Sequence, residues 1–312
     1  MRAVTFDTFG GPEVLHLADL PQPAPGKGEV LVKVAAATVN PTDTSMRSGR
    51  QAALMSDIKP PYIAGMEFAG HVSALGEGVT TLDIGQPVMG IVSPRSAGGG
   101  AYREYVALPA ASTAPLAPGT DLVEAATVPM NGLTAKVSIE ILGLPAGASL
   151  LVTGGTGALG GYAIQLGKYF GLDVVADAHD ADGDLLRRLG AKHVVPRGDG
   201  MTAAVRALYP QGVDGLIDAA LLTDTAAALV RDGGAAVNAR VNPRITDPRL
   251  RTATVGVLSQ ATNTAALVWL AEMVAKGALT PRVALRVPVA EAAEAHRRVE
   301  QGGLRGRAVL VF

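Results

Sequence analysis

Over the first 110 residues, apolar and polar positions alternate in short runs, and this two-residue period predicts strands. The longest run is GEVLVKVAAATVN at 28–40, where β-branched residues recur at alternate positions. Turns rich in glycine and proline, such as PQPAPGKG, separate the runs. Short strands at this spacing predict a barrel or a sandwich rather than a parallel sheet. The other predicted strands are RAVTF, EFAGHVSALGEGV, GQPVMGIV and YREYVAL.

From about Asp121 the period lengthens, and the segment 121–142 carries apolar residues at helical spacing, with Asp121 as its predicted N-cap. After it, apolar strands such as ASLLVTG alternate with helical segments such as GYAIQLGKYFG. That alternation predicts a doubly wound parallel sheet of the Rossmann type. Two amphipathic helices and the strand GRAVLVF follow. The predicted fold class is α/β, with a β-rich domain at 1–121 completed by 279–312 and a Rossmann domain at 122–278.

A glycine-rich turn, VTGGTGALGG, lies directly after one apolar strand and directly before a helix. Gly155, Gly157 and Gly160 give it the spacing G-x-G-x-x-G. In that motif the first glycine permits a tight turn, the second admits a pyrophosphate, and the third lets helix and strand pack closely. We therefore expect a dinucleotide, with its phosphates at the helix N-terminus. The remaining predicted cofactor residues of the turn are Thr156, Ala158 and Leu159.

The same turn resembles the opening motif of the short-chain dehydrogenases. That family needs Tyr-x-x-x-Lys as its acid–base pair, and none of the six tyrosines has a lysine four residues later. The short-chain interpretation therefore fails.

Composition excludes several classes of function. The chain has 27 basic and 28 acidic residues and a formal net charge of −1, without a block of one sign; no nucleic-acid partner and no membrane patch is expected. Cysteine is absent, which removes disulfides, thiolate nucleophiles and cysteine-ligated metals. The five histidines show no metal-ligand spacing. The sequence has no run of 18 apolar residues and no signal-peptide core, and we expect a cytoplasmic protein.

Many short motifs, in the same order along the whole chain, resemble the medium-chain dehydrogenase/reductase superfamily and its quinone oxidoreductase branch. They include PAPGKGEVLVKVAAATVNPTD, AGMEFAGHV, GAYREYVALPA, AATVPMNGLTA, ASLLVTGGTGALGGYAIQLGKYFG and RGRAVLVF. The resemblance implies that the β-rich domain is GroES-like and carries most of the substrate site. It also implies a homodimer, for which the strand TATVGVLS would supply the sheet edge.

Zinc-dependent members of the superfamily hold a catalytic metal through Cys, His-Glu and Cys. By local motif, those ligand positions are Asn40 in NPTD, Met66 in GMEF and Asn131 in MNGLT. None of the three is a zinc ligand of the usual type. The four-cysteine lobe that holds structural zinc is replaced by SPRSAGGGAY. We therefore expect no zinc.

Without a metal, the resemblance implies hydride delivery from NAD(P)H to a quinone or to the β-carbon of an α,β-unsaturated carbonyl. Charge that develops on the substrate oxygen must then be held by hydrogen bonds. Asn40 is the first candidate donor and Asn131 the second, although Asn40 is equally suited to cap the NPTD turn. The predicted substrate-binding residues are Ser45, Met66, Met130 and Tyr62, the last with aromatic packing as its alternative role.

The end of the second strand of a Rossmann sheet sets the cofactor preference, because the 2′ end of the adenosine ribose lies there. In this chain the segment is VVADAHDADGDLL, which contains Asp177 and His179. Its acids oppose a 2′-phosphate, whereas His179 and Arg197 offset them. On the habit of the family we favour NADP(H) over NAD(H). The resemblance places further cofactor contacts at Thr134, Ala220, Asn238, Arg240, Val257 and Leu258.

Three functions stay open. The first is a zinc-independent, NAD(P)H-dependent quinone oxidoreductase or enone reductase with a small-molecule carbonyl or quinone substrate. The second is a dedicated biosynthetic tailoring ene-reductase or related catalyst. Quinone oxidoreductases commonly have Tyr where Ser45 stands, and its absence from this chain would fit such a specialised pocket. The third is a redox sensor that binds the dinucleotide without turnover. Oxidation of the cofactor by an acceptor separates the enzymes from the sensor.

Overall fold

The computed structural model describes residues 1–239 and 244–312, which form two compact units. The first unit contains Met1–Met130, Leu258–Ala275 and Pro281–Phe312, and the second contains Asn131–Val257 and Lys276–Thr280. The domain boundaries expected from the sequence stay predictions.

Strands dominate the first unit, and strands alternate with helices in the second. The strands of the described residues are β1 (Arg2–Thr5), β2 (His16–Asp19), β3 (Glu29–Val39), β4 (Glu67–Leu75), β5 (Pro87–Ile91), β6 (Tyr105–Pro109), β7 (Thr113–Pro115), β8 (Ser149–Thr153), β9 (Asp173–Ala178), β10 (His193–Pro196), β11 (Val213–Asp218), β12 (Val230–Asn238), β13 (Arg251–Thr254), β14 (Val283–Pro288) and β15 (Arg307–Val311). The helices are α1 (Pro41–Arg47), α2 (Leu122–Ala125), α3 (Pro129–Leu142), α4 (Ala158–Tyr169), α5 (Gly183–Leu189), α6 (Gly200–Leu208), α7 (Asp224–Ala227), α8 (Thr264–Ala275) and α9 (Ala292–Gln301).

The main sheet of the first unit runs in the order β14-β15-β3-β4-β5-β7, and β6 also pairs with β3. Its neighbouring strands are antiparallel except for β14 and β15, which are parallel. Phe6, Phe68 and Tyr102 are fully buried in the core of this unit. Because β3 is the longest strand and pairs on both sides, it fixes the positions of β4 and β15, whose polar residues meet in the candidate site.

The sheet of the second unit runs in the order β10-β9-β8-β11-β12-β13, with every neighbouring pair parallel. Numbered along the chain, this is the 3-2-1-4-5-6 order of a Rossmann fold, so the predicted doubly wound sheet is confirmed. β8 is buried at all five positions, as expected of a central parallel strand. The strand order reverses at β8, and in such sheets ligands bind at the carboxyl ends of the strands beside this point.

Two predicted elements differ from the structure. The single helical segment expected over 121–142 is wrong, because α2 ends at Ala125 and α3 begins at Pro129, a residue without an N–H that is favoured in a first helical turn. The predicted N-cap is confirmed, since Asp121 Oδ1 accepts the backbone N–H of Val123 at 2.7 Å. Of TATVGVLS at 252–259, only the first three residues are strand, as part of Arg251–Thr254, and the last three belong to the 3₁₀ turn Val257–Gln260.

Helix α8, which the sequence interpretation placed in the dinucleotide-binding domain, belongs to the first unit. Thr264 Oγ1 donates to the carbonyl of Ala111 at 2.7 Å, and this bond ties the start of α8 to the loop before β7. No helix among residues 1–239 and 244–312 is long and apolar enough to cross a membrane.

Candidate active site

The glycine turn connects β8 to α4 and has the shape of a phosphate cradle. Gly154 adopts a positive φ of 66°, and Gly157, the N-cap of α4, donates its N–H to the Gly154 carbonyl at 2.9 Å. A Cβ at Gly160 would lie 2.3 Å from that same carbonyl oxygen, and a Cβ at Gly155 would lie 2.9 Å from Ile164. Only glycine permits so close an approach of helix and strand.

The start of α4 fits the pyrophosphate of a dinucleotide. The first turn of a helix has backbone N–H groups without intrahelical acceptors, and these groups with the helix dipole favour phosphate. The residues over 156–159 are only partly buried, so a ligand has access to the backbone here. The predicted cofactor residues Thr156, Gly157, Ala158 and Leu159 lie together at this helix start.

A buried aspartate fixes the loop after β11 beside the glycine turn. Asp218 accepts the hydroxyl of Thr153 at 2.5 Å and the N–H of Thr223 at 2.7 Å. Thr153 in turn accepts the N–H of Ala220 at 3.0 Å. Leu221 and Thr223 have φ values of 60° and 52°, a strained region for residues with side chains that must be held by surrounding contacts. This loop carries the predicted cofactor residue Ala220.

Asp177 and Arg197, predicted separately as cofactor residues, form one ion pair. Asp177 Oδ2 accepts Arg197 Nε at 2.7 Å, and Asp177 Oδ1 accepts the N–H of Gly154 at 2.6 Å. The carboxylate is 1% exposed, whereas the Arg197 side chain is 34% exposed. His179, two residues beyond Asp177, is exposed.

Other predicted cofactor residues lie at the carboxyl end of β12 and beyond β13. Asn238 Oδ1 accepts the N–H of Ile245 at 2.7 Å and its Nδ2 donates to the Ala253 carbonyl at 3.3 Å, so this amide is engaged in holding the chain. Val257 is partly buried and Leu258 is exposed. Arg240 lies outside the described residues.

In the first unit a buried carboxylate collects hydrogen bonds from several elements. Glu67, at the start of β4, is 0% exposed and pairs with Arg307 of β15 at 2.6 Å. The same oxygen, Oε1, accepts the Thr38 hydroxyl at 2.6 Å and Asn40 Nδ2 at 3.2 Å. The other oxygen accepts the backbone N–H of Met130 at 2.7 Å. We call these residues (Thr38, Asn40, Glu67, Met130 and Arg307) the Glu67 cluster.

Asn40, the first candidate for the substrate donor, belongs to this cluster. Its Nδ2 lies 3.2 Å from Glu67 Oε1 and 3.5 Å from Thr38 Oγ1, and the residue is 6% exposed. Its backbone N–H donates to Asp43 at 2.8 Å at the start of α1. The amide therefore donates inward, to protein oxygens.

A second buried group adjoins α1 and α9. Asp43 accepts the backbone N–H groups of Asn40 and Gly65, yet burial raises the pKa of its carboxyl from 3.8 to about 6. Burial, followed by the negative charge of Asp43, raises the pKa of Tyr102 well above its usual value. The Tyr102 hydroxyl lies 3.3 Å from His296 Nε2. Burial, with a smaller effect of the Arg47 charge, lowers the pKa of His296 to about 3, so that imidazole is neutral in the folded protein.

The predicted substrate-binding residues lie in different surroundings. Tyr62 stacks on Phe9, with ring centroids 5.3 Å apart, and contacts Phe6 at 5.2 Å, which is the packing role considered as its alternative. Met66 and Met130 are buried at 4% and 6% exposure. Ser45 is partly exposed on α1.

Asn131 and Thr134 lie in the first turns of α3. Nδ2 of Asn131 is buried and has no hydrogen-bond partner among the described residues. A buried donor without an acceptor is uncommon in proteins and calls for an explanation such as a ligand. Thr134 is 8% exposed, and its carbonyl accepts the Ser138 hydroxyl at 2.7 Å.

Sequence reasoning missed the buried carboxylates and their partners. Glu67 breaks an apolar strand pattern in GMEFAGHV and Asp218 ends the apolar strand GLID, and each break was a usable signal. Arg307 gave no such signal, because it lies 240 residues from its partner. Across the residues that the structure describes, no group of three or more His, Asp or Glu side chains is placed to hold a metal ion.

Two family models match the chain. The alcohol dehydrogenase GroES-like domain matches residues 26–118, and the family described as zinc-binding dehydrogenase matches residues 189–310.

Curated relatives and a solved structure agree with these matches. The quinone-oxidoreductase homologue of Spinacia oleracea chloroplasts is 30% identical over 69% of this chain and 68% of its own length. The chloroplastic NADPH-dependent alkenal/one oxidoreductase of Arabidopsis thaliana is 32% identical over 76% of this chain and 62% of its own length. The chain spans 60% and 62% of the length of the first two curated relatives that it matches. The quinone oxidoreductase structure from Coxiella burnetii aligns over 100% of this chain and 99% of that chain, with a TM-score of 0.88 and 28% identity.

The predicted GroES-like domain is thus confirmed, and the chain belongs to the medium-chain dehydrogenase/reductase superfamily, in its quinone oxidoreductase-like branch.

Proposed function

We propose that this chain is an NADPH-dependent oxidoreductase, working without zinc, that delivers hydride to a quinone or to the β-carbon of an α,β-unsaturated carbonyl. The observation that carries the proposal is the glycine turn, where a Cβ at Gly160 would meet the Gly154 carbonyl at 2.3 Å. The names of the relatives support the acceptor class, since one is a quinone-oxidoreductase homologue and another an NADPH-dependent alkenal/one oxidoreductase.

The residues of the second unit would hold the cofactor by its phosphates. When bound, NADPH would supply the hydride. The N-terminus of α4 would bind the pyrophosphate through backbone N–H groups, and the loop fixed by Asp218 would bring Ala220 to the same edge of the sheet. Thr134 and Val257 are further proposed contacts, and Asn238 would contribute through its backbone because its amide is engaged.

The donor set at the superfamily's catalytic zinc position does not fit zinc. Asn40 and Met66 offer an amide and a buried thioether, neither of which is a usual zinc ligand. The adjacent carboxylate, Glu67, is already neutralised by Arg307 at 2.6 Å. No step of the proposed reaction is therefore assigned to a metal.

Asn131 is the better candidate for the donor that holds the substrate oxygen. The amide of Asn40, the first candidate from sequence, donates to Glu67, whereas Asn131 Nδ2 has no acceptor within the described residues. A donor aimed at the developing oxyanion stabilises the transition state more than the ground state. Asn40 would then act as a structural member of the Glu67 cluster.

The test is NADPH oxidation in the presence of EDTA, measured with one ortho-quinone and one simple enone, and repeated with NADH. We expect EDTA-insensitive turnover that prefers NADPH. We expect Asn131→Ala to lower kcat roughly 100-fold with a small change in KM, since loss of one oxyanion donor typically has that effect. Asn40→Ala should instead lower the melting temperature, with a smaller loss of kcat.

Each outcome has a distinct meaning. An Asn131→Ala variant with full kcat would refute the assignment of the donor. EDTA-sensitive turnover would refute the metal-free proposal. Tight NADPH binding without turnover of either acceptor would refute the general reductase and favour a dedicated tailoring substrate or a redox sensor.

A further inference from the structure

The pairing of Asp177 with Arg197 changes which residue meets the adenosine ribose. In dinucleotide-binding folds an acid at the end of the second strand accepts a hydrogen bond from the ribose 2′-hydroxyl, and an arginine nearby accommodates a 2′-phosphate. Asp177 lies at that position, one residue before the end of β9. The sequence alone therefore suggests that Asp177 opposes a 2′-phosphate.

The geometry of Asp177 does not suit a ribose ligand. Its two oxygens are taken by Gly154 N–H at 2.6 Å and by Arg197 Nε at 2.7 Å, and the side chain is 1% exposed. A ribose hydroxyl would have to displace a charge-assisted bond from a buried carboxylate, and such bonds are stronger than neutral ones. The negative charge of Asp177 is also balanced at contact distance by the guanidinium.

Arg197, in contrast to Asp177, is accessible and keeps hydrogen-bond donors that a ligand could use. Its backbone N–H donates to the Ala178 carbonyl at 2.9 Å, which fixes the residue at the carboxyl edge of β9 and β10. Only Nε is used by Asp177, and Nη1 and Nη2 make no further hydrogen bond to any described residue. The side chain is 34% exposed. A guanidinium held at Nε keeps its two terminal nitrogens in a planar fork that matches phosphate oxygens.

The acidic residues near Arg197 oppose the binding of a phosphate less than their number suggests. Asp184 pairs with Arg187 at 2.9 Å on α5. With Asp177 paired as well, two of the acids in the segment 177–184 are balanced by arginines of the same unit.

We infer that Asp177 is a positioning residue, not the ribose ligand, and that it orients Arg197 as the receptor for the 2′-phosphate of NADPH. This inference rests on the dinucleotide site of the proposed function and names the residues that decide its cofactor. Because Asp177 also accepts the N–H of Gly154, the same carboxylate links the 2′-phosphate receptor to the glycine turn.

The test measures binding, not turnover, by isothermal titration calorimetry with adenosine 2′,5′-bisphosphate and with 5′-AMP at one fixed salt concentration. We expect the unmodified chain to bind the bisphosphate at least roughly ten-fold more tightly than AMP. Arg197→Gln should weaken bisphosphate binding roughly 10- to 100-fold and leave AMP binding within about two-fold. Arg197→Lys should restore part of the loss, because it keeps the charge without the fork.

Asp177→Asn tests the positioning role, because an amide can still accept from Gly154 but cannot pair with a guanidinium. We expect a smaller selective loss of bisphosphate affinity, roughly three- to ten-fold, with AMP binding retained. Arg188→Gln is the matched control, since it removes one exposed arginine of the same unit, and it should change neither affinity by more than about two-fold.

Several results would overturn the inference. Equal affinity of the unmodified chain for the two nucleotides would overturn it while leaving the dinucleotide site intact. Parallel loss of both affinities in Arg197→Gln would show a structural role only. Tighter bisphosphate binding by Asp177→Asn would show that Asp177 opposes the phosphate. Binding of neither nucleotide would remove the dinucleotide site and the proposed function with it, whereas selective binding without acceptor turnover would leave this inference standing.

Discussion

Among the ion pairs between a glutamate and an arginine in the first unit, one is buried and another is more exposed. Glu67 and Arg307 have side chains 0% and 6% exposed, whereas Glu104 and Arg2 form a pair with 26% and 58% exposed. Breaking a buried pair leaves an uncompensated charge away from water, at a cost of about 3–5 kcal/mol. We expect Glu67→Gln to lower the free energy of unfolding in urea by about that amount. Glu104→Gln, the control, should lower it by less than about 1 kcal/mol.

A double-variant cycle shows whether the loss comes from the pairing itself. Arg307→Gln in the Glu67→Gln background removes the charge that the first substitution left unpaired. The double variant should therefore lose less stability than the sum of the single variants, by about 1–3 kcal/mol. Additive losses would show that the two side chains are not coupled.

Burial shifts the pKa values of Asp43 and His296 in opposite directions, so these two residues change the stability with pH in opposite senses. The pKa of His296 is lowered to about 3, so the unfolded chain takes up the proton first. Its contribution to stability is complete above pH 6.5 and is lost as the pH falls toward 3. The pKa of Asp43 is raised to about 6, so the folded chain takes up that proton first. Its contribution is complete below pH 3.8 and is lost as the pH rises through 6.

Between pH 4 and 6 these two contributions oppose each other, each with a slope of about 1.4 kcal/mol per pH unit. Relative to the unmodified chain, His296→Gln should make the free energy of unfolding fall more steeply as the pH rises. Asp43→Asn should make it rise more steeply. Urea titrations across this range measure both slopes, with His71→Gln, which removes an exposed histidine of β4, as the control. Slope changes of the same sign in both variants would contradict the assignment.

At the scale of secondary-structure elements, the contact between α4 and β8 depends on Gly160. A Cβ there would lie 2.3 Å from the Gly154 carbonyl oxygen and 2.8 Å from the Gly155 Cα, and both are backbone atoms that cannot rotate away. Gly160→Ala should therefore separate helix and strand, lower the stability by about 1–3 kcal/mol and weaken NADPH binding at least roughly ten-fold. Thermal unfolding and calorimetric titration with NADPH measure the two effects.

Gly200→Ala is the matched control for this substitution. Gly200 begins α6, and its added Cβ would lie 3.3 Å from the side chain of Pro196. Alanine also favours helix over glycine by about 1 kcal/mol. We expect unchanged NADPH binding in Gly200→Ala, and NADPH binding of normal affinity by Gly160→Ala would contradict the role given to the glycine turn.

Elements whose signals are local were predictable from the sequence. The parallel sheet followed from apolar strands alternating with helices, and the turn after β8 followed from glycine spacing. The break between α2 and α3 was also signalled, by Pro129, but continuous apolar spacing concealed it. Helical periodicity indicates which face of a helix is buried. It does not indicate where one helix ends and the next begins.

The partners within the candidate site were not predictable in the same way. Arg197 and Asp177 are 20 residues apart and Arg307 and Glu67 are 240 apart, so no periodic pattern relates them. Each pairing depends on which strands become neighbours in the sheet. Spacing along a single sequence does not reveal that order, because strands that are adjacent in a sheet can be far apart in the chain. For this reason Asn40 looked like a free donor in the sequence, whereas the structure has it donating to Glu67.

At the scale of the whole molecule, the exposed edge of the sheet in the second unit favours self-association. β13 lies at the end of the sheet order, and Arg251, Thr252 and Thr254 on it are exposed. Unshielded edge strands offer unpaired backbone groups to another copy. The formal net charge of −1 gives little repulsion between copies. These features support the homodimer that the family resemblance implies, and we predict that β13 strands pair across its two-fold axis.

Charging this edge tests the homodimer. In a two-fold pairing the same short segment of both copies meets, so Thr252→Glu combined with Thr254→Glu places like charges on both sides of the contact. Light scattering after gel filtration should give twice 31.7 kDa for the unmodified chain and 31.7 kDa for the double variant at micromolar concentration. Thr80→Glu combined with Thr81→Glu adds the same charge at exposed positions of the first unit and should leave the mass at the dimer value. A dimer that persists in the Thr252 and Thr254 variant would place the contact on another surface.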